Sequence, residues 1–186
     1  MYYLTVDTGT TNTRVRVWRK DRVVAGAFAP VGVRDTVVTG SKDTLRRGVR
    51  EALAAACAEA AISEADVAAI VASGMITSNV GLHEVPHVAA PAGVRDLAAG
   101  MVSAPLPGVA DKPFWFVPGV KNSIGAVDAD NCERMDIMRG EEVEVFGLVR
   151  RLAVQEPLSE LQMHLVFLYS TYKERIRSSV WKSTSI

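Results

Sequence analysis

Cysteine, histidine and a surplus of charge of either sign are what this chain has least of. Its two cysteines, Cys57 and Cys132, stand far apart without a CxxC spacing, which argues against a disulfide framework or a cysteine zinc site and fits a reducing compartment. Both read most simply as buried or half-buried thiols. The three histidines, His83, His87 and His164, show no HxxxH or HExxH spacing, so lone, partly exposed imidazoles are expected rather than a metal centre. Lys plus Arg number 21 and Asp plus Glu number 21. With no net field of one sign, nothing in the bulk charge draws in nucleic acid or an anionic membrane surface. Trp18, Trp115 and Trp181 are too dispersed to stack bases on single-stranded nucleic acid and read as packing residues. No run approaches the ~18 consecutive apolar residues of a membrane helix, and the chain opens in a strand rather than a basic segment followed by an apolar run. These absences predict a soluble, cytoplasmic protein with no nucleic-acid and no membrane partner. Glycine and aspartate are both absent from Leu148 onward, although the chain holds 14 glycines. That shift places a boundary near residue 150.

What is present suffices for a core: 48% of the 186 residues are hydrophobic. Tyr2, Leu4 and Val6 alternate with Tyr3, Thr5 and Asp7, and alternation resumes over Arg14 to Trp18, so two strands flank residues 8–13. A third strand is expected over Arg22 to Val31, after the polar corner Arg19-Lys20-Asp21, completing an antiparallel meander. Leu45, Val49, Leu53 and Cys57 recur every four residues in an alanine-rich stretch, with Ser41 able to cap it. A helix follows from that spacing. Asp66 to Ser78 predicts a fourth strand opening into a Gly-Met-Ile-Thr-Ser-Asn loop. Proline and glycine crowd Gly81 to Gly119, predicting loops and short strands, with "KPFWFVPG" the clearest strand. Arg139 to Leu152 has helical spacing, glutamates first and arginines last, as the helix dipole prefers. Leu158, Leu161, Leu165 and Leu168 have the spacing of a short amphipathic helix.

The turn between the first two strands, "DTGTTNTR", crowds a carboxylate, a glycine and several hydroxyl or amide side chains together. Gly9 permits a tight turn, and the amides and hydroxyls of Thr10, Thr11 and Thr13 suit phosphate oxygens. Asp7 would hold a hydrated magnesium ion, since a carboxylate and a phosphate repel unless a cation lies between them. Arg14 would support the turn or neutralise phosphate charge. An ordinary hairpin with a polar tip fits the same spacing equally well. The segment differs from a Walker loop, which needs GxxxxGK and a following helix.

"VDTGTTNTRVRVW" resembles the first phosphate-binding motif of the sugar kinase, Hsp70 and actin superfamily. "ASGMITSNVGLHEVPHVAAPAGVRDLA", "FVPGVKN" and "DIMRGEEVEVFGL" follow in order, and over about residues 1–148 the chain resembles the 2-dehydro-3-deoxygalactonokinase family. The resemblance implies an α/β fold, the ribonuclease H-like (actin-like ATPase) N-terminal lobe, with a mixed β-β-β-α-β-α sheet. It implies ATP and Mg2+ as cofactors, a small sugar acid as substrate, and phosphorylation of 2-dehydro-3-deoxy-D-galactonate at its 6-hydroxyl. On that reading Asp7, Gly9, Thr10, Thr11, Asn12, Thr13 and Arg14 serve nucleotide and metal. Thr77, Ser78 and Asn79, with Glu84 behind them, would meet sugar hydroxyls, and Lys121 and Asn122 the substrate's carboxylate. A ligand-free hydrogen-bonded loop and a solvated lysine are the plainer alternatives. The carboxylate beside the attacking hydroxyl would be Asp136 or Glu141, with Glu142 adjacent, although acids at a helix start also need no catalytic reason.

The family's second lobe, with its own phosphate hairpin and adenosine site, has no counterpart string after Leu148, and residues 149–186 read as an unassigned tail, helical or disordered. The resemblance thus predicts an N-terminal lobe with its second lobe missing, from a truncated or frame-shifted origin, and weak or absent turnover, because half a cleft cannot close around its ligands. Its uncovered surface would favour a homo-oligomer or a partner subunit. The alternative from another class is a catalytically silent sugar-acid-binding module or subunit. An actin- or chaperone-like ATPase fits the later strings less well.

Overall fold

Alternation in the first thirty residues becomes three strands, β1 (Tyr2–Thr8), β2 (Thr13–Arg19) and β3 (Arg22–Ala29), each antiparallel to the next. This is a computed structural model, and it describes residues 1–122, 128–130, 132 and 135–155. Leu4, Val6, Val15, Val17, Ala25 and Ala29 point to one face and are buried. β3 ends two residues before the expected Val31, because Pro30 has no N–H to continue a ladder. A short helix not expected from sequence, α1 (Val33–Thr39), follows. Its valines and threonines are weak helix formers. It forms because the Asp35 carboxylate accepts the Gly32 N–H at 2.9 Å and the carbonyls of Gly9 and Thr10 accept the Val33 and Arg34 N–H groups at 3.2 and 2.9 Å. Gly40, at φ 70, ends it.

Helix α2 (Asp43–Glu59) buries Leu45, Val49, Ala52, Leu53 and Ala56 against β2 and β3, the stripe its four-residue spacing predicts. Lys42 rather than Ser41 occupies the cap position, without a side-chain cap bond, and Ser41 Oγ one residue earlier accepts the Asp43 N–H at 3.1 Å. The chain then returns as β4 (Val67–Gly74), parallel to β1. Beyond β4, β5 (Val88–Ala89), α3 (Val94–Ala99), β6 (Val102–Ala104) and β7 (Phe114–Phe116) occupy the proline- and glycine-rich stretch, and β8 (Val120–Lys121) follows it. β7 lies parallel to β4, and the main sheet runs β3-β2-β1-β4-β7-β6. Phe114 and Phe116 are fully buried and stack on each other. A second, small sheet has the order β5-β8-β9, where β9 is Ile137–Met138. The fold is mixed α/β. Because β1, β4 and β7 are mutually parallel, the segments leaving all three emerge along one edge of the sheet.

The chain divides into two units, Met1–Gly140 and Glu141–Ile186. In the second, α4 spans Glu141–Gln155. It starts two residues later than expected because Gly140 sits at φ 116, which an α-helix cannot include. The expectations for Leu158, Leu161, Leu165 and Leu168, and those for His164 and Trp181, lie outside the described residues.

Candidate functional site at the parallel strand ends

The turn after β1 is fixed from beneath by two threonines. Thr8 and Thr13 are fully buried; Thr13 donates its hydroxyl to the Val31 carbonyl at 2.9 Å and so accepts from the Thr8 hydroxyl 3.2 Å away. Gly9 closes the turn by donating its N–H to the Asn12 carbonyl at 2.8 Å. The turn rests on the backbone of Gly32, where a Cβ would collide with the Thr10 carbonyl. Thr10 and Thr11 remain exposed and Asn12 half-buried. Asp7, on the opposite side of β1 from Thr8, meets Arg14 across the ladder at 3.5 Å with both side chains substantially exposed. Such a pair holds its geometry weakly, at about 0–1 kcal/mol.

Beside this turn lies the loop after β4. The β1/β4 register pairs Asp7 with Ser73 and Thr8 with Gly74. Gly74, at φ 82, is required here: a Cβ would approach the Thr8 carbonyl to 2.6 Å and Asp7 Oδ1 to 3.1 Å. The space in front of the Asp7 carboxylate is therefore kept open by backbone alone. Met75–Thr77 form a 3₁₀ turn, in which Thr77 Oγ1 donates to the Gly74 carbonyl at 3.0 Å and Ser78 Oγ to the Met75 carbonyl at 2.7 Å. Both side chains are buried. Asn79 and Glu84 are exposed.

The small sheet carries the remaining candidates. Lys121 follows β7 and pairs with Ala89 and Ile137 as the last residue of β8. Asn122 and Asp136 face each other: the Asn122 N–H donates to the Asp136 carbonyl at 3.0 Å, and Asn122 Oδ1 accepts the Asp136 N–H at 3.2 Å. After β9 the chain returns to the main sheet, where Gly140 packs so closely on Gly74 that a Cβ would come within 3.1 Å of its Cα. Glu141 and Glu142 open α4, the first exposed and the second buried.

Arg139 is a residue the sequence does not single out. Its Nη1 donates to the Thr77 carbonyl at 2.6 Å and to Thr77 Oγ1 at 2.5 Å; its Nη2 donates to the Val85 carbonyl at 3.1 Å and lies 3.0–3.1 Å from both ring nitrogens of His87. His87 is thus not the lone imidazole expected. Burial, followed by the Arg139 guanidinium and the Lys121 ammonium, pushes its pKa below the usual imidazole value, with Glu84 opposing. His83, the other described histidine, stacks on Phe116. The available signal for Arg139 was its place beside Gly140 in the "MRGEE" string, but no local spacing reveals a bond reaching back to Thr77. Among the sequence-derived candidates, Asp7 and the turn of residues 9–12 stand next to the loop carrying Thr77, Ser78 and Asn79; Lys121, Asn122 and Asp136 form a second group on the small sheet. Thr13 belongs to the buried support of the turn.

The 2-keto-3-deoxy-galactonokinase family model matches residues 7–172, which takes in residues beyond Leu148. Among solved structures, a Sinorhizobium meliloti protein provisionally named a 2-dehydro-3-deoxygalactonokinase is 24% identical, with a TM-score of 0.59 over 81% of this chain and 43% of its own. At that identity the likeness is one of fold. This chain spans less than half the length of that protein. The activator of the 2-hydroxyisocaproyl-CoA dehydratase from Clostridium difficile, with bound ADPNP, matches at 19% identity and a TM-score of 0.30, over 39% of this chain and 23% of its own. No curated protein matches the chain closely enough to count as a relative. With the family model covering most of its length, the chain belongs to the 2-keto-3-deoxy-galactonokinase family, a family of carbohydrate kinases.

Proposed function

We propose that the chain provides the phosphate- and sugar-acid-binding lobe of an ATP- and magnesium-dependent kinase that phosphorylates 2-dehydro-3-deoxy-D-galactonate at its 6-hydroxyl. The observation that carries this reading is the pairing of Thr8 with Gly74, which sets the turn of residues 9–12 beside the loop after β4 at the ends of parallel strands. Ligands of open α/β sheets bind at such strand ends. Three strands, two helices and a returning parallel strand support a ribonuclease H-like lobe, assigned here to residues 1–148.

In this reading the exposed Thr10 and Thr11, with Gly9 and Asn12, face the phosphates, Thr13 holds the turn in shape, and Arg14 adds positive charge at its rim. Asp7 suits magnesium: it is one carboxylate at a strand end, with its Oδ1 side kept clear by Gly74. Mg2+ usually takes one or two carboxylates plus water and phosphate oxygens. When bound there it would supply neutralisation of phosphate charge. The sugar acid would lie on the loop and the small sheet, with Asn79 and Glu84 reaching its hydroxyls and Lys121 its carboxylate beside Asn122. Thr77 and Ser78 would shape that surface through the loop's backbone. The attacking hydroxyl needs a carboxylate, and Asp136 and Glu141 are the two candidates.

Isothermal titration with 2-dehydro-3-deoxy-D-galactonate and with MgATP, together with an assay for ADP and the 6-phosphate, tests this. Sugar-acid binding with weak transfer at most is the expected result, as half a cleft predicts, and loss of that residual transfer in either Asp136→Asn or Glu141→Gln identifies the carboxylate. Absence of sugar-acid binding overturns the proposal. Binding without transfer would make the chain a sugar-acid-binding module.

A further inference from the structure

The loop after β4 has two stems, Thr77 and Val85, joined by the Val85 N–H donating to the Thr77 carbonyl at 3.0 Å. Between them the loop's backbone bonds run to its own start, with the Leu82 and His83 N–H groups both donating to the Ile76 carbonyl, at 2.9 and 3.2 Å, and Gly81 donating to Ser78, while Ile76, Leu82 and Val85 pack in the main core and His83 on Phe116. It therefore has an internal skeleton and runs on into β5 of the small sheet. Arg139 adds a side-chain tie between the loop and the end of β9. One guanidinium takes the carbonyls of both stems, and its second nitrogen also lies against the His87 ring, which rests on the backbone of Gly119. Bridging two carbonyls and a ring uses the planar fork of arginine; the single ammonium of lysine cannot span them.

We infer that Arg139 is a positioning residue for the sugar acid, holding the loop that carries Asn79 and Glu84 against the sheet that carries Lys121, so that the two present one preformed surface. The inference rests on the proposed sugar-acid reading of that loop. Arg139 Nη2, about equidistant from both ring nitrogens, lies against the His87 ring, and burial, with the facing cations Arg139 and Lys121, favours the neutral imidazole against Glu84. Preorganisation of this kind appears in affinity, because an unclamped loop must be ordered when the ligand binds.

Hydrogen exchange on the unliganded chain and titration with the sugar acid test the inference together. In Arg139→Gln, amide protection over residues 78–85 should fall about tenfold or more while the β1 amides of Leu4 and Val6 keep theirs. The dissociation constant for 2-dehydro-3-deoxy-D-galactonate should rise about tenfold or more in both Arg139→Gln and Arg139→Lys, with MgATP affinity within about twofold of the parent. Unchanged loop protection overturns the clamp. Lost protection with unchanged sugar-acid affinity overturns the positioning role, and so does protection lost throughout Met1–Gly140. A parent chain that binds no sugar acid sinks the functional reading and the positioning role with it, and the exchange data distinguish that failure from an absent clamp.

Discussion

The turn of residues 9–12 and the loop of residues 75–87 leave neighbouring parallel strands, yet they are held by different kinds of bonds. The turn is tied by backbone bonds to α1 and by two buried threonines that belong to the main core. The loop carries its own backbone skeleton, packs Ile76, Leu82 and Val85 in the core, and is also held by an arginine on a segment far away in sequence. On the proposed reading, a phosphate cradle that must hold one shape suits attachment to the core. A sugar-acid surface assembled from the loop and a second sheet would have to be joined across elements, and a side chain with several donors does that.

Gly74 is where the two regions share backbone, so the largest effect should come from Gly74→Ala. A side chain there meets the Thr8 carbonyl at 2.6 Å in a left-handed conformation; a loss of about 2–4 kcal/mol is expected in thermal or urea unfolding, and both ligands should bind poorly. A variant of parental stability would show that the strand ends do not approach as described. Next, Thr13→Val removes the donor to Val31 and the partner of Thr8 inside the core, at about 1–3 kcal/mol. Its damage should centre on residues 9–13 and α1. Equal loss of exchange protection in the loop would break the distinction between the two regions.

A smaller and local effect should come from acid. His87 titrates below the ordinary imidazole value in the folded chain, so the unfolded state binds more protons in that window. The contribution of neutral His87 is present above the ordinary value, about pH 6.5, and is lost as pH falls through the depressed one. Exchange of the amides of residues 78–87 should accelerate there, and His87→Gln should flatten that change. Acceleration of the turn of residues 9–12 over the same range would argue against a separate attachment. The smallest stability change is expected for Asp7→Asn, within about 0.5 kcal/mol, since its partner Arg14 is an exposed one. Magnesium-dependent nucleotide binding should nevertheless fall sharply in calorimetry; unchanged binding would remove Asp7 from the proposed metal site.

Much of the main sheet was legible. Period-two alternation in β1, β2 and β3 and the four-residue spacing of α2 are local consequences of one-sided burial. Less was legible where local preference and tertiary contact disagree. The Val-Thr stretch of α1 has weak helix propensity, and carbonyls from the turn of residues 9–12 make up for it. What the string "ITSN" does not show is that the Ser78 hydroxyl donates to the Met75 carbonyl, because a short hydroxyl in a tight turn finds its own backbone first.

By itself the sequence determined the strand meander, the amphipathic α2 and the family, since each is written in residues close together in the chain. Only the tertiary structure decided which of the polar residues in those strings stay exposed, that Gly74, Gly140 and Gly32 are needed for backbone to meet backbone, and that Arg139 holds Thr77, Val85 and His87. The physical reason is distance along the chain: periodicity reports which face a side chain occupies, whereas a guanidinium reaching from Arg139 to Thr77 depends on where two sheets place their ends.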